Sequence, residues 1–308
     1  MQTLFTKIFL SVCMSLAFLA LNCHKAFEPI APIKPRPVLF SLITTARDTQ
    51  FVKLALTRGD RTSLDNSYNL NPKITLSRDG QSAQTETFLP SIQTYPAFPF
   101  RAEFGATHTL RVVTQEFGTI EATATIPQRA SFDIAGRSTL DTPDKSPFDI
   151  TVRVTFHTTT KAFRIQFFVE CDIVRGTDTT LLRQEIPLNY ADSTAIVETG
   201  SSPLFGRLEV RTEQNVYTKK AYISALFALL AKASGANWVL FRRVVVHATH
   251  SGEEVYKYYS IANGFIDPNS IRADQPDYSN ITGAFGFFGG IAEQRFEYAL
   301  PKDFVHNR

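Results

Sequence analysis

Residues 107–126 read THTLRVVTQEFGTIEATATI, and Pro127 closes them. From Thr107 to Thr114 the side chains alternate in character with a period of two, the mark of a half-buried strand. Glu116-Phe117-Gly118 turns the chain, and Thr119 to Ile126 alternates again. Two strands joined by a glycine turn set the expectation for everything around them.

Upstream the same pattern repeats. Val38-Leu39-Phe40-Ser41-Leu42-Ile43-Thr44 reads as a strand. In Phe51 to Thr57, Val52, Leu54 and Leu56 share one face against Phe51, Lys53, Ala55 and Thr57. Arg58-Gly59-Asp60 then turns the chain, and its RGD tripeptide reads as a strand-ending turn. Lys73 to Ser77 leads into Arg78-Asp79-Gly80-Gln81, where Asp-Gly is a hairpin signal. Short strands at this spacing predict an Ig-like or transthyretin-like β-sandwich over residues 38–127.

Downstream, residues 128–147 are turn-rich, with Gly136, Pro143 and Pro147, and we place a boundary there. Strands resume at 148–156 and continue through 163–174, 179–190 and 205–214. Lys219 to Ser234 breaks the pattern. It sets Tyr222, Leu226, Leu229, Leu230 and Ala233 on one helical face, with Gly235 as a cap. Trp238 to His250 returns to strand, and Ser251-Gly252-Glu253 reads as a turn. The expectation is an all-β dominated chain: the sandwich, then a second mostly β domain over 128–308 with one amphipathic helix.

The N-terminus carries a different signal. Lys7 precedes Ile8 to Leu21, an apolar run broken only by Ser11 and Ser15. That run is about 21 Å long as a helix, short of the roughly 20 residues that span a bilayer. It reads as an export signal over residues 1–22. Ala20-Leu21-Asn22-Cys23 follows the run and resembles a bacterial lipoprotein signal. The resemblance implies cleavage before Cys23 and acylation of its thiol, palmitate included. Residues 23–37 then form a tether stiffened by Pro29, Pro32, Pro35 and Pro37. Several acyl chains anchor a protein stably where one is marginal.

Removing residues 1–22 from 308 leaves 286, enough for one or two domains. The formal charge is +3, and no long Lys/Arg run occurs, so nucleic acid is excluded as a partner. Cys13 leaves with the signal and Cys23 is the lipid site, so Cys171 stands alone, a buried small hydrophobe in FRIQFFVECDIV.

The last sixty residues carry a recognisable pattern. Tyr278-Ser279-Asn280-Ile281-Thr282-Gly283-Ala284-Phe285-Gly286-Phe287-Phe288-Gly289-Gly290 resembles the closing segment of a Bacteroidetes envelope lipoprotein family known as domain of unknown function 4249. Leu42-Ile43-Thr44, after a lipobox and a proline-containing stretch, is similar to that family's first strand. The resemblance implies a lipoprotein of the cell outer membrane, its face left open. It also implies association with outer-membrane TonB-dependent uptake systems, though no activity. The glycines and phenylalanines of 283–290 have two readings: a loop plug that seals the core, or a ligand platform with an exposed ring.

Reactive constellations are sparse. The histidines are 24, 108, 157, 247, 250 and 306, and only His247 and His250 lie close together. On a strand, three residues apart means opposite faces, which argues against a shared metal. No His-Glu-x-x-His, Gly-x-Ser-x-Gly or Walker loop occurs, and Gly200-Ser201-Ser202-Pro203 reads as a turn. The acidic loops Asp141-Thr142-Pro143-Asp144 and Asp267-Pro268-Asn269, with Asp274 and Asp277, lack the calcium-loop glycine and glutamate. No catalytic, cofactor or metal residue is assigned. The expectation is a non-enzymatic binding or accessory module, held to a membrane by lipid at Cys23, with an outer-membrane transporter or a glycan as partner. The alternatives are a carbohydrate-active hydrolase, needing two carboxylates about 5.5 or 6.5–9.5 Å apart in a groove, and a surface adhesin or stalk.

Overall fold

Asp79 and Gly80 adopt φ angles of 45° and 80°. Two left-handed residues in succession give the tight reversal whose twist suits paired strands. In this computed structural model they join β3 (Lys73–Arg78) to β4 (Gln81–Thr85). The structure describes residues 35–57, 70–85, 87–91, 93–97, 99–188, 214–263, 278–301 and 304–307. Several expected features lie outside them: the export signal, Cys23, most of the tether, Arg58-Gly59-Asp60, Gly200-Ser201-Ser202-Pro203, nearly all of 205–214, and the Asp267 loop. All the described elements belong to one compact unit, Arg36–Leu56 with Ser67–Arg308.

The chain is mostly β. A five-stranded sheet is ordered β14 (Ile281–Thr282), β7 (Gly118–Thr125), β6 (Thr107–Thr114), β3, β4. An eight-stranded sheet holds β1 (Pro37–Thr44), β2 (Gln50–Leu56) and β5 (Tyr95–Ala97) at one end. These two sheets pack into a sandwich. Its core includes Leu39, Ile43, Val52, Ile74, Leu110, Val112 and Ile120, with Phe288 and Ala292 supplied from the far end of the chain.

Phe288 and Ala292 lie on β15 (Phe285–Ala299), and they explain the glycine segment. From Phe285 it is a strand rather than a loop, and Phe287 and Phe288 on it are fully buried in the core. Residues 285–291 pair in parallel with β1, and residues 291–299 pair antiparallel with β13 (Trp238–Ser251). Glycine is a poor strand former unless something packs where its side chain would be. Here a Cβ on Gly290 would lie 2.8 Å from Ile126 Cδ1, and one on Gly289 2.7 Å from Val255 Cγ2. The two glycines make room for neighbouring side chains on either face. Asn280 completes the segment: its Nδ2 donates to the Phe288 carbonyl at 2.6 Å, and its Oδ1 accepts from the Phe288 N–H at 2.9 Å.

From β15 the eight-stranded sheet continues through β13 to β10 (Ala162–Arg175) and the edge strand β11 (Asp178–Glu185); β16 (Val305–Asn307) pairs beside β13. One face of this half is covered by a three-stranded sheet ordered β12 (Gln214–Tyr217), β9 (Ile150–Thr155), β8 (Ser131–Ala135), together with α2 (Lys219–Lys232). Thr218 caps α2 by accepting from the Ala221 N–H, and Tyr222, Leu226 and Leu229 are buried. The short α1 (Arg137–Asp141) also lies here. The sandwich core draws on residues 39–126 and on Phe288 and Ala292, the core under the three-stranded sheet draws on residues from Ala130 onward, and one sheet runs through both.

The expected turn at Ser251-Gly252-Glu253 instead starts α3 (Glu253–Asn263). Its sequence is rich in β-prone tyrosine, but Val255 and Tyr259, four residues apart, share the buried side. They pack on Ala162, Phe287 and Ile291, on the opposite face of the eight-stranded sheet from α2.

Candidate functional site

On β10, Phe163, Ile165, Phe167, Val169, Cys171 and Ile173 face the core with α2. Arg164, Gln166, Phe168, Glu170, Asp172 and Val174 alternate with them and form the outer face. The pairing register extends this face sideways. Arg183, Glu170 and Arg243 form one row; Glu185, Phe168, Val245 and Glu297 the next; Gln166, His247 and Arg295 the third. At its Ala162–Ile291 end α3 packs on this face.

A bulge shapes the site. Glu170 pairs with Arg243 but Cys171 pairs with Phe241, so Arg242 is an extra residue in β13. An extra residue breaks the alternation and re-aims a side chain. Arg242 and Arg243 are neighbours in sequence, and each meets an acid of the same outer face. Arg242 Nε donates to Asp172 Oδ2 at 2.6 Å, and Arg243 Nε donates to Glu170 Oε2 at 2.9 Å.

Glu170 is the centre of a ladder. Its side chain is only 2% exposed, and Arg295 Nη2 also donates to it at 2.9 Å. Above it, Glu297 accepts from Arg243 Nη1 at 2.9 Å and from Arg295 Nε at 2.6 Å. Burial pushes the Glu297 carboxyl up, but both guanidinium groups outweigh it and hold it below the usual carboxylate range. The hydrogen bond to Glu170 raises Arg243 above the ordinary arginine value. The Arg183 Cζ lies over the Phe168 ring, 3.4 Å from its centroid. His247 meets the same ring edge-on at 5.6 Å. Burial, then Arg183 and Arg295, lowers the His247 imidazole to about 4.

Across the whole face, Arg164, Arg183, Arg242, Arg243 and Arg295 are matched by Glu170, Asp172, Glu185, Glu293 and Glu297. The charges balance. Beyond the ladder the face turns apolar: Leu181 (50% exposed) and Trp238 (47% exposed) flank the half-buried Val174 and Leu240. Such a surface holds paired donors and acceptors beside an aromatic ring. The Cys171 thiol is not part of it: it is on the inner face, where burial pushes it up to about 11.

The other residues singled out in the sequence are accounted for separately. β13 places His247 outside and His250 inside, where His250 Nδ1 lies 3.2 Å from Thr160 Oγ1. Asp141 accepts from the Tyr298 hydroxyl at 3.0 Å, so its carboxylate already has a partner. Among the described residues no three His, Cys, Asp or Glu side chains gather as metal ligands, and no helix is long and apolar enough to cross a membrane. A depression of about 360 Å³ lies beside the start of α3, lined by Thr125, Thr159, Lys161, Glu253 and Glu254. Sequence reasoning passed over the ladder. The available signal was the charged pair Arg242-Arg243 inside an apolar strand, where a period of two forbids adjacent residues on one face.

No family model matches the chain, and no curated protein is similar to it.

Proposed function

We propose that this chain is a lipid-anchored cell-envelope protein that works as a non-enzymatic binding module, with the outer face of β11-β10-β13-β15 as its working surface. The observation that carries the reading is the bulge at Arg242. It re-aims a side chain within a long strand, spends a ladder hydrogen bond, and sets the Arg242 guanidinium on Asp172, on a face that also carries the exposed Trp238. A face built only for solvent has no use for such an arrangement. The export signal, Cys23 and the Pro-rich tether support attachment by lipid, and the resemblance of Asn280 to Gly290 to envelope lipoproteins supports a place beside an outer-membrane TonB-dependent transporter.

A pull-down from envelope membranes tests this, with tagged wild type and Cys23→Ala in parallel. Wild type is expected in the membrane fraction with a transporter bound, and Cys23→Ala is expected in the soluble fraction. Equal partitioning of the two into the soluble fraction, with no partner, overturns the anchored reading. One observation favours a second reading, a surface adhesin: β11 has no second neighbour among the described residues, and free edges recruit strands. Concentration-dependent self-association lost on Thr180→Pro would favour it.

A further inference from the structure

Trp238 is the protein's only tryptophan. It stands on the outer face opposite Val174, and one row along the strands Leu240 stands opposite Asp172. Two residues on a strand cover about 7 Å, so Trp238 and Asp172 occupy neighbouring rows of the same face. Asp172 is 19% exposed and held by Arg242, which is 54% exposed. We propose that this corner binds a neutral oligosaccharide. One pyranose lies with its C–H face on the Trp238 indole and its vicinal hydroxyls on Asp172 and Arg242. The inference rests on the binding-module reading and names its ligand.

Three observations select this occupant. A pyranose is apolar on its faces and hydroxylated around its edge. It therefore needs a flat aromatic ring with donors and acceptors to one side, which is what Trp238, Asp172 and Arg242 supply. The opposite charges of Asp172 and Arg242 offer an acceptor and several donors in a fixed plane, so one hydroxyl accepts while its neighbour donates. The charges of the face cancel, so a polyanion finds no net attraction there, whereas an uncharged polyol leaves the existing ion pairs intact. A protein partner would seat its anchor in a deep, desolvated pocket. This corner is a sheet surface with a paired charge beside its apolar residues.

The single tryptophan makes the test direct. The purified full-length protein is titrated with maltohexaose, cellohexaose, xylohexaose, laminarihexaose and mannohexaose to about 10 mM, the range of a weak site, while indole fluorescence is followed. Polygalacturonate serves as the charged control. A saturable change with at least one neutral sugar, and none with polygalacturonate, is expected. Asp172→Asn and Arg242→Met are expected to weaken binding about tenfold each. Arg242→Lys, which keeps the charge but loses the planar fork, should fall between. Trp238→Phe, read by calorimetry, should retain the far-ultraviolet spectrum and lose affinity. No saturable change with any neutral sugar overturns the proposal, as does saturation by polygalacturonate alone or unchanged affinity in both Asp172 and Arg242 variants. If those sugars fail while the pull-down recovers a transporter, the glycan assignment falls and the binding module stands.

Discussion

Phe167 and Phe168 are adjacent in sequence and face opposite ways. Phe167 is fully buried against Tyr217 and the α2 side of the sheet. Phe168 lies on the outer face, where its ring carries Arg183 and meets His247. The inner face is mainly hydrocarbon, while the outer face is a lattice of ion pairs ending in exposed Trp238 and Leu181. One strand thus carries a core face and the face proposed for binding, and the period of two keeps them apart.

The largest effect should come from the inner face. Phe167→Ala is expected to cost about 3–5 kcal/mol, the range for deleting a buried aromatic side chain. Phe168→Ala should cost less than about half of that. Urea unfolding of the two variants measures the difference directly. Equal losses would break the contrast between the faces.

Acid should give the second effect, through the fully buried histidines. His108 is fully buried beside Phe100; desolvation, then Arg78, lowers its imidazole to about 4. His250 is fully buried beside Phe156, and desolvation lowers it to about 4 as well. In the unfolded chain both return to about 6.5 and bind protons first. Their contribution is therefore complete above about pH 6.5 and lost as pH falls towards 4. Each should cost roughly a hundredfold in the folding equilibrium by pH 4. His108→Leu should flatten that slope by one proton, read from unfolding midpoints between pH 7 and 4. A slope unchanged by this substitution would mean His108 is not neutral in the fold.

Much of the fold was legible because one face of each strand is buried. Val112 and Leu110 alternate with Arg111 and Thr109, and a register slip would expose the whole set. β15 was not legible. Its glycines have low strand propensity, and what repairs them comes from distant chain: Val255 from α3, Ile126 beyond β7, and β1 alongside. Thr44 and Glu293, hydrogen-bonded here, are 249 residues apart. α3 was hidden by Tyr256, Tyr258 and Tyr259, whose β preference tertiary packing overrides. At the candidate site the Arg242-Arg243 doublet was visible as a break in alternation. Its consequence required the bulge, and the acids that answer it lie on other strands.

Glu170→Gln should give the third effect, about 1–3 kcal/mol. Two arginines lose the charge they point at, but both are more than a third exposed and water screens them. Thermal unfolding at neutral pH measures it, with Glu170→Leu as a second variant. The leucine variant should be no worse if the ladder serves recognition rather than stability.

The smallest effect should be Glu297→Gln, below about 1 kcal/mol. Glu297 accepts from the same two arginines as Glu170, at similar distances, yet its side chain is 41% exposed against 2%. Equal partners with unequal burial isolate the contribution of solvent. A double-mutant cycle pairing each acid with Arg295→Met gives the coupling for both. The Glu170 coupling should exceed that of Glu297, and raising the salt should weaken Glu297 alone, since buried pairs are screened less. If the two couplings are equal and respond alike to salt, the outer face behaves as a solvated surface throughout. The ladder would then lose its claim to be a preorganised recognition surface.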